Sequence, residues 1–204
     1  IIEDRAKEVD AISNVFSQIS EENKIKMPIE ARAEGGDIMP WNDYIFVGYS
    51  EKEDFDKYTV ARTNKTGLDF LTETFPNKIV KGFELNKSDI DPRENALHLD
   101  CCFQPIGKNM AIIYKGGFKY SAGVEFLVTY FGEENIIEVD KEEMYNMNSN
   151  IFSISEEVII SEKGFTRLNE SLRKRGFTVE EVPYAEIAKM EGLLRCSTMP
   201  LIRQ

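Results

Sequence analysis

The stretch His98-Leu99-Asp100-Cys101-Cys102-Phe103-Gln104-Pro105-Ile106-Gly107-Lys108-Asn109-Met110-Ala111-Ile112-Ile113-Tyr114 decides the fold. It opens on a polar segment, turns over residues 105–108, and returns as the apolar strand Met110-Ala111-Ile112-Ile113-Tyr114. A helix is predicted over 124–131 and a closing strand over 135–139, since β-branched and apolar runs bounded by turn residues read as strands. The same order of opening strand, turn, apolar strand, helix and closing strand recurs on either side. Upstream, Glu34-Gly35-Gly36-Asp37 opens a copy whose apolar strand is Tyr44-Ile45-Phe46-Val47-Gly48, with a helix over 67–75 and a strand over 79–85. Downstream, Asn150 opens a third copy with a strand over 158–160, a helix over 166–175 and a strand over 177–182. Cys196-Ser197-Thr198-Met199 opens a fourth, and residues 1–30 supply the helix and closing strand of an earlier one. Repeats that each bury only part of their apolar surface need neighbours. The expected architecture is therefore α/β, with five ββαβ units around a ring whose opening strands converge on the axis. No Pro/Ser/Gly-rich linker interrupts the pattern, so residues 1–204 read as one domain.

Composition narrows the function. The chain has 204 residues, 42% hydrophobic and 30% charged, and a formal net charge of −11. Its longest basic run is Arg173-Lys174-Arg175. Phosphate-backbone binding needs a clustered basic face, so no nucleic-acid partner is expected. An acidic balance suits a small cationic substrate and also serves solubility. No apolar run approaches a membrane span and no signal sequence is visible. Three cysteines, two of them adjacent, fit a reducing cytoplasmic setting. No metal is expected, because no Cys-x-x-Cys and no second histidine accompany Cys101 and Cys102. No cofactor is expected either.

The copy openings collect the residues that carry chemistry. His98 is the only histidine. If residues 98–100 form a strand, its period of two puts His98 and Asp100 on one face and Leu99 on the other. Glu34 and Asp37 are two carboxylates separated by glycines, which let a ligand or backbone approach closely. Cys196 is crowded by Arg195, Ser197 and Thr198, a poor context for a purely structural thiol. A bound guanidinium or a nearby imidazolium would lower its pKa. Asn150 opens its copy and is expected to line the axis; Trp41 packs in the core or covers the site.

In order, Glu34-Gly35-Gly36-Asp37, then His98-Leu99-Asp100 closed by Phe103, then Gly192 with Cys196 and Thr198 resemble the active-site segments of the arginine deiminase, dimethylargininase and amidinotransferase superfamily. The resemblance runs from about Ala31 to Gln204. It implies a five-bladed pseudo-symmetric ββαβ propeller, the pentein fold. It also implies Cys196 as nucleophile, His98 as general acid/base, and Glu34 and Asp100 as carboxylates that hold a guanidinium, with Asp37 one layer behind them in the substrate-binding set; Asn150 joins that set from its place at the repeat opening. The implied reaction is hydrolysis of a guanidino group of arginine or a derivative through a covalent thiouronium, giving a ureido product. Amidino transfer to an amine is the alternative, and a non-catalytic guanidino-binding protein is a second. The family's earlier Arg-Asp motif has no match here; Asp4-Arg5 is reversed. An upstream segment of roughly 80–100 residues is expected from the repeat length, bringing a further carboxylate. Without it, open sheet edges would favour association of copies as a homo-oligomer.

Overall fold

The computed structural model describes residues 8–189 and 192–200. Among the described residues, nine strands form three separate three-stranded sheets of one plan. In the first, β1 (Ile38–Trp41) runs antiparallel to β2 (Tyr44–Tyr49), which is parallel to β3 (Ile79–Glu84). β4 (Phe103–Ile106), β5 (Met110–Ile113) and β6 (Ile136–Glu138) repeat this, as do β7 (Phe152–Ser153), β8 (Val158–Glu162) and β9 (Thr178–Val182). Each unit is thus a hairpin followed by a helical crossover, the connection a parallel pair requires. The hairpin turns fit their residues. Asn42 adopts φ +49° between β1 and β2, and Gly107 takes φ +58° between β4 and β5.

The helices are α1 (Glu8–Ala11), α2 (Ser13–Phe16), α3 (Lys52–Lys57), α4 (Lys65–Thr74), α5 (Ser121–Phe131), α6 (Lys141–Tyr145), α7 (Thr166–Lys174) and α8 (Ala185–Ala188). The crossovers are α4, α5 and α7. Asn64 caps α4 by accepting the Gly67 N–H at 2.8 Å. α5 and α7 each bury an i, i+4 apolar pair, Leu127 with Phe131 and Leu168 with Leu172. Central strands β2 and β5 and the start of β8 are apolar, with partners on both sides, while β8 ends in the buried Ser161 and Glu162.

Two apolar clusters meet beneath the polar openings. Phe46, fully buried, is the hub of the first and packs on Phe83, Phe103, Phe126, Tyr130 and Phe131. Leu99 and Cys102 belong to that cluster, whereas Cys101 belongs to the second, around Ile112, Ile151 and Leu168. The His98 segment is therefore pinned to both. Burial of Leu99 alone contributes about 1.5–3 kcal/mol.

Three expected strands are not strands. Glu34 and His98 are extended residues, each leading into one turn of 3₁₀ helix, Gly35–Asp37 and Leu99–Cys101. Their N–H groups have no strand to pair with and close locally, Asp37 N–H on Glu34 O and Cys101 N–H on His98 O. The strands β1 and β4 begin only afterwards. Cys196 sits on a turn over 194–197, with Ser197 N–H bonded to Leu193 O. Among the described residues of 1–30 there are two short helices and a 3₁₀ turn but no closing strand, since none of the three sheets takes this segment as a partner. Asp4-Arg5 and residues 201–204 lie outside the described residues.

Candidate active site

Glu34, His98, Asp100 and Cys196 line one open cavity of about 1800 Å³, together with Arg62, Trp41, Gln104 and Arg195. His98 enters it from the turn before β4, with its side chain only 12% exposed. Its Nε2 lies 2.8 Å from Glu34 Oε2. Burial disfavours the charged ring, but the Glu34 hydrogen bond and the charges of Asp37, Asp100 and Glu34 outweigh it, so the His98 pKa is raised above 6.5. Gly36 makes room for the ring: a Cβ there would stand 2.8 Å from His98 Cγ and Nδ1. Glu34 Oε1 also faces Arg62 Nε at 3.8 Å.

Cys196 is exposed as a residue, yet its sulfur is held from behind. Asn150 Nδ2 donates to Sγ at 3.1 Å, and Asp100 Oδ2 lies 3.7 Å away. Burial and the Asp100 charge raise the thiol pKa above 9.0, against the lowering effects of the Leu193 backbone, Asn150 and Arg195. The surroundings that the chain itself gives Cys196 therefore favour the thiol over the thiolate, opposite to the expected lowering.

Two members of the expected substrate-binding set are corrected. Asp37 does not line the cavity; it is buried, and its oxygens accept the Leu99 N–H at 2.9 Å and the Thr63 hydroxyl at 2.6 Å. Burial raises its pKa, opposed by His98, Lys87 and those two hydrogen bonds. Asn150 is likewise fully buried and does not line the cavity. Its Oδ1 accepts the backbone N–H groups of Arg195 and Cys196 at 3.1 and 3.2 Å. Both side chains hold other site residues in place because each has polar atoms on two sides. The sequence shows the residue but not which way it turns.

Three residues had no expected role. Arg195 Nη1 pairs with the fully buried Asp100 at 2.7 Å, and Nη2 donates to Ile38 O at 2.8 Å. It ties the last opening to the first two. Lys87 Nζ donates to Ala96 O and Leu97 O, both at 2.7 Å, immediately before His98. Burial lowers its pKa. Thr63 links Glu34 and Asp37. No short motif could have flagged these three, since each acts across at least nine residues of sequence. Cys101 and Cys102 are free, buried in the two apolar clusters, and burial raises both thiols. Trp41 both lines the cavity and packs on Phe131, ring centres 6.0 Å apart.

Comparison with known proteins places the chain in the pentein superfamily of guanidino-group-modifying proteins. Within it, the chain belongs to the family described as N,N dimethylarginine dimethylhydrolase, eukaryotic, which matches residues 42–203. It is 32% identical over 175 residues to the uncharacterized protein YkgA of Bacillus subtilis, covering 86% of this chain and 54% of that protein. It is 24% identical over 197 residues to the N(G),N(G)-dimethylarginine dimethylaminohydrolase of Pseudomonas aeruginosa, covering 97% of this chain and 67% of that one. Against the arginine deiminase of Treponema denticola the figures are 26% over 208 residues, 84% and 47%. The chain spans about half the length of the Bacillus and Treponema proteins. The fold is shared with the Pseudomonas aeruginosa dimethylarginine dimethylaminohydrolase complexed with citrulline, at TM-score 0.73 and 22% identity over 95% of this chain and 66% of that one. The N-terminal domain of the cyanobacterial arginine dihydrolase ArgZ, bound to product, superimposes with TM-score 0.71 and 23% identity over 91% of this chain and 63% of that one.

Proposed function

We propose that this chain carries the chemical face of a cysteine-dependent guanidino hydrolase acting on arginine or an N-substituted arginine, and that its three units are blades of a five-bladed ring. One observation carries the reading. The Cys196 sulfur sits 3.7 Å from a fully buried Asp100 carboxylate, on the same cavity as the His98–Glu34 pair. A guanidinium drawn between Glu34 and Asp100 brings its carbon to the sulfur. Its charge offsets that of Asp100, which lowers the thiol pKa where the reaction needs thiolate.

The thiolate then attacks the guanidinium carbon to form an S–C bond and a tetrahedral adduct. His98, whose charged form the Glu34 hydrogen bond favours, donates its proton to a departing nitrogen; the C–N bond breaks and ammonia or an amine leaves a covalent thiouronium. Neutral His98 next takes a proton from an incoming water as its oxygen adds to that carbon. Collapse expels the Cys196 thiolate, and the remaining hydroxyl proton passes to solvent, leaving a neutral ureido product. The cycle consumes one water and needs no cofactor. An amine in place of water would give amidino transfer; the family match favours hydrolysis. No helix among the described residues is long and apolar enough to cross a membrane, and three free cysteines suit a reducing, cytoplasmic compartment.

Incubation with arginine, agmatine, and mono- and dimethylarginine, reading ureido product and released amine, tests the proposal. Product from at least one substrate, lost in Cys196→Ser, is expected. Tight guanidino binding with no bond cleavage would replace the hydrolase with a binding protein. Product undiminished in Cys196→Ser would remove the nucleophile.

A further inference from the structure

Glu34 and His98 lie 64 positions apart, and neither belongs to a strand. No sheet register therefore fixes their separation of 2.8 Å. A short buried chain of hydrogen bonds joins the two segments instead. The Glu34 N–H donates to Thr63 Oγ1 at 3.1 Å, the Thr63 hydroxyl donates to Asp37 Oδ2 at 2.6 Å, and Asp37 Oδ1 accepts the Leu99 N–H at 2.9 Å. We propose that Thr63 is a positioning residue, whose hydroxyl acts through Asp37 to lock the Glu34 carboxylate onto the His98 ring.

Thr63 suits this because a hydroxyl can accept from an N–H and donate to a carboxylate at once. It is buried, 1% exposed, and does not line the cavity, so its influence passes through other residues. Its own placement is firm. The Ser50 N–H donates to Thr63 O at 2.9 Å beside the parallel bridge between Ser50 and Asn64, which ties the loop to the end of β2. Asn64 straps the approach to Glu34 on the other side, accepting the Arg32 N–H and donating to Glu30 O. Below Asp37 there is no slack, since a Cβ on Gly48 would stand 2.5 Å from its Oδ1. Removing the hydroxyl takes its hydrogen bond from the half-buried Glu34 N–H and from one oxygen of the buried Asp37, and the Glu34 segment drifts from the ring.

The functional weight of this relay rests on His98 and Glu34 being the reacting pair, but its existence can be tested without turnover. His98 is the single histidine, so its imidazole titration is read by NMR without assignment. Thr63→Val keeps the shape and removes the hydroxyl. It is expected to lower the His98 pKa on the order of half a unit, because the carboxylate hydrogen bond that favours the charged ring is loosened. In active protein kcat/KM falls roughly tenfold, because the displaced Glu34 loosens both the proton carrier and its own hold on the guanidinium, and the His98 titration reads the first of these separately. Thr63→Ser restores both. If Thr63→Val is too unstable to titrate, Thr63→Ala reads the same relay. A folded Thr63→Val or Thr63→Ala with the wild-type His98 titration, or a Thr63→Ser as impaired as the valine variant, overturns the proposal. Normal turnover in His98→Gln beside a shifted titration in Thr63→Val would sink the catalytic reading and leave the relay standing.

Discussion

The two sides of the cavity are built by different means. On the His98 side, the turn is pinned by Leu99, Cys101 and Cys102 in two apolar clusters, and the ring is held by a carboxylate whose backbone is itself held by a buried hydroxyl. On the Cys196 side the residue is exposed, on a turn, and steadied by the side chains of Asn150 and Arg195. Their electrostatics differ in the same sense. His98 is already poised toward its charged form, whereas the Cys196 thiol is pushed away from its own. The placement of His98 is a property of the folded core, while the ionisation of Cys196 answers to burial and to the charges beside it.

Replacing His98 attacks the prebuilt side and should give the largest effect. His98→Gln is expected to lower kcat roughly 10²–10⁴-fold while ligand binding changes little, because proton delivery to the leaving nitrogen is lost. Steady-state kinetics beside equilibrium binding checks this. A second signature follows from linkage. The folded pKa is raised above the unfolded value near 6.5, so His98 contributes stability that is fully present below about pH 6.5 and disappears as pH rises through the folded pKa. Melting curves of His98→Gln should lose that pH dependence. Wild-type kcat in the variant would end the acid/base role.

The same contrast explains what the sequence made legible. The three units could be read because β2, β5 and the first half of β8, Val158-Ile159-Ile160, are apolar runs, and α5 and α7 carry an i, i+4 pair. Glu34, His98, Asp100 and Cys196 could be singled out because their residue types suit one chemistry and they open successive repeats. The openings themselves were misread as strands. A 3₁₀ turn and a strand start look alike in sequence when the deciding contact, Asp37 on the Leu99 N–H, lies 62 positions away. Asp37 and Asn150 stand at the openings their residue types suggest, but behind the cavity wall, where they bond to the backbone of the site segments. Thr63, Lys87 and Arg195 passed without a role, since their partners are set by tertiary packing alone.

Arg195 joins the two sides, and its loss should rank next. Asp100 is fully buried and Arg195 supplies a direct 2.7 Å partner. Removing one member of a buried ion pair strands the other charge, which typically costs about 3–5 kcal/mol. Arg195→Leu is therefore expected to destabilise the chain by about 3 kcal/mol, measured by urea unfolding, with the Cys196 turn released before the core. A variant as stable as the parent would show that the two sides are fixed independently.

The smallest effect concerns the thiol itself. Iodoacetamide reacts with thiolate, and Cys196 is exposed while Cys101 and Cys102 are buried with raised pKa values. Mass spectrometry should find Cys196 labelled first, with a rate that climbs through pH 9 and beyond because its thiol lies above that value. Burial is the leading cause, so no single substitution should return it to the ordinary range. The charge contribution has a definite sign. Asp100→Asn removes the anion 3.7 Å from the sulfur and frees the Arg195 cation beside it; both favour thiolate, and the midpoint moves down. Asn150→Ala removes the donor to Sγ, and the midpoint moves up. Opposite shifts from two neighbours of one sulfur cannot arise from a general loosening of the turn, which would expose the thiol and lower the midpoint in both. A downward shift in Asn150→Ala would therefore show that exposure, not these two contacts, governs the nucleophile, and the contrast between the two sides of the cavity would reduce to one of solvent access.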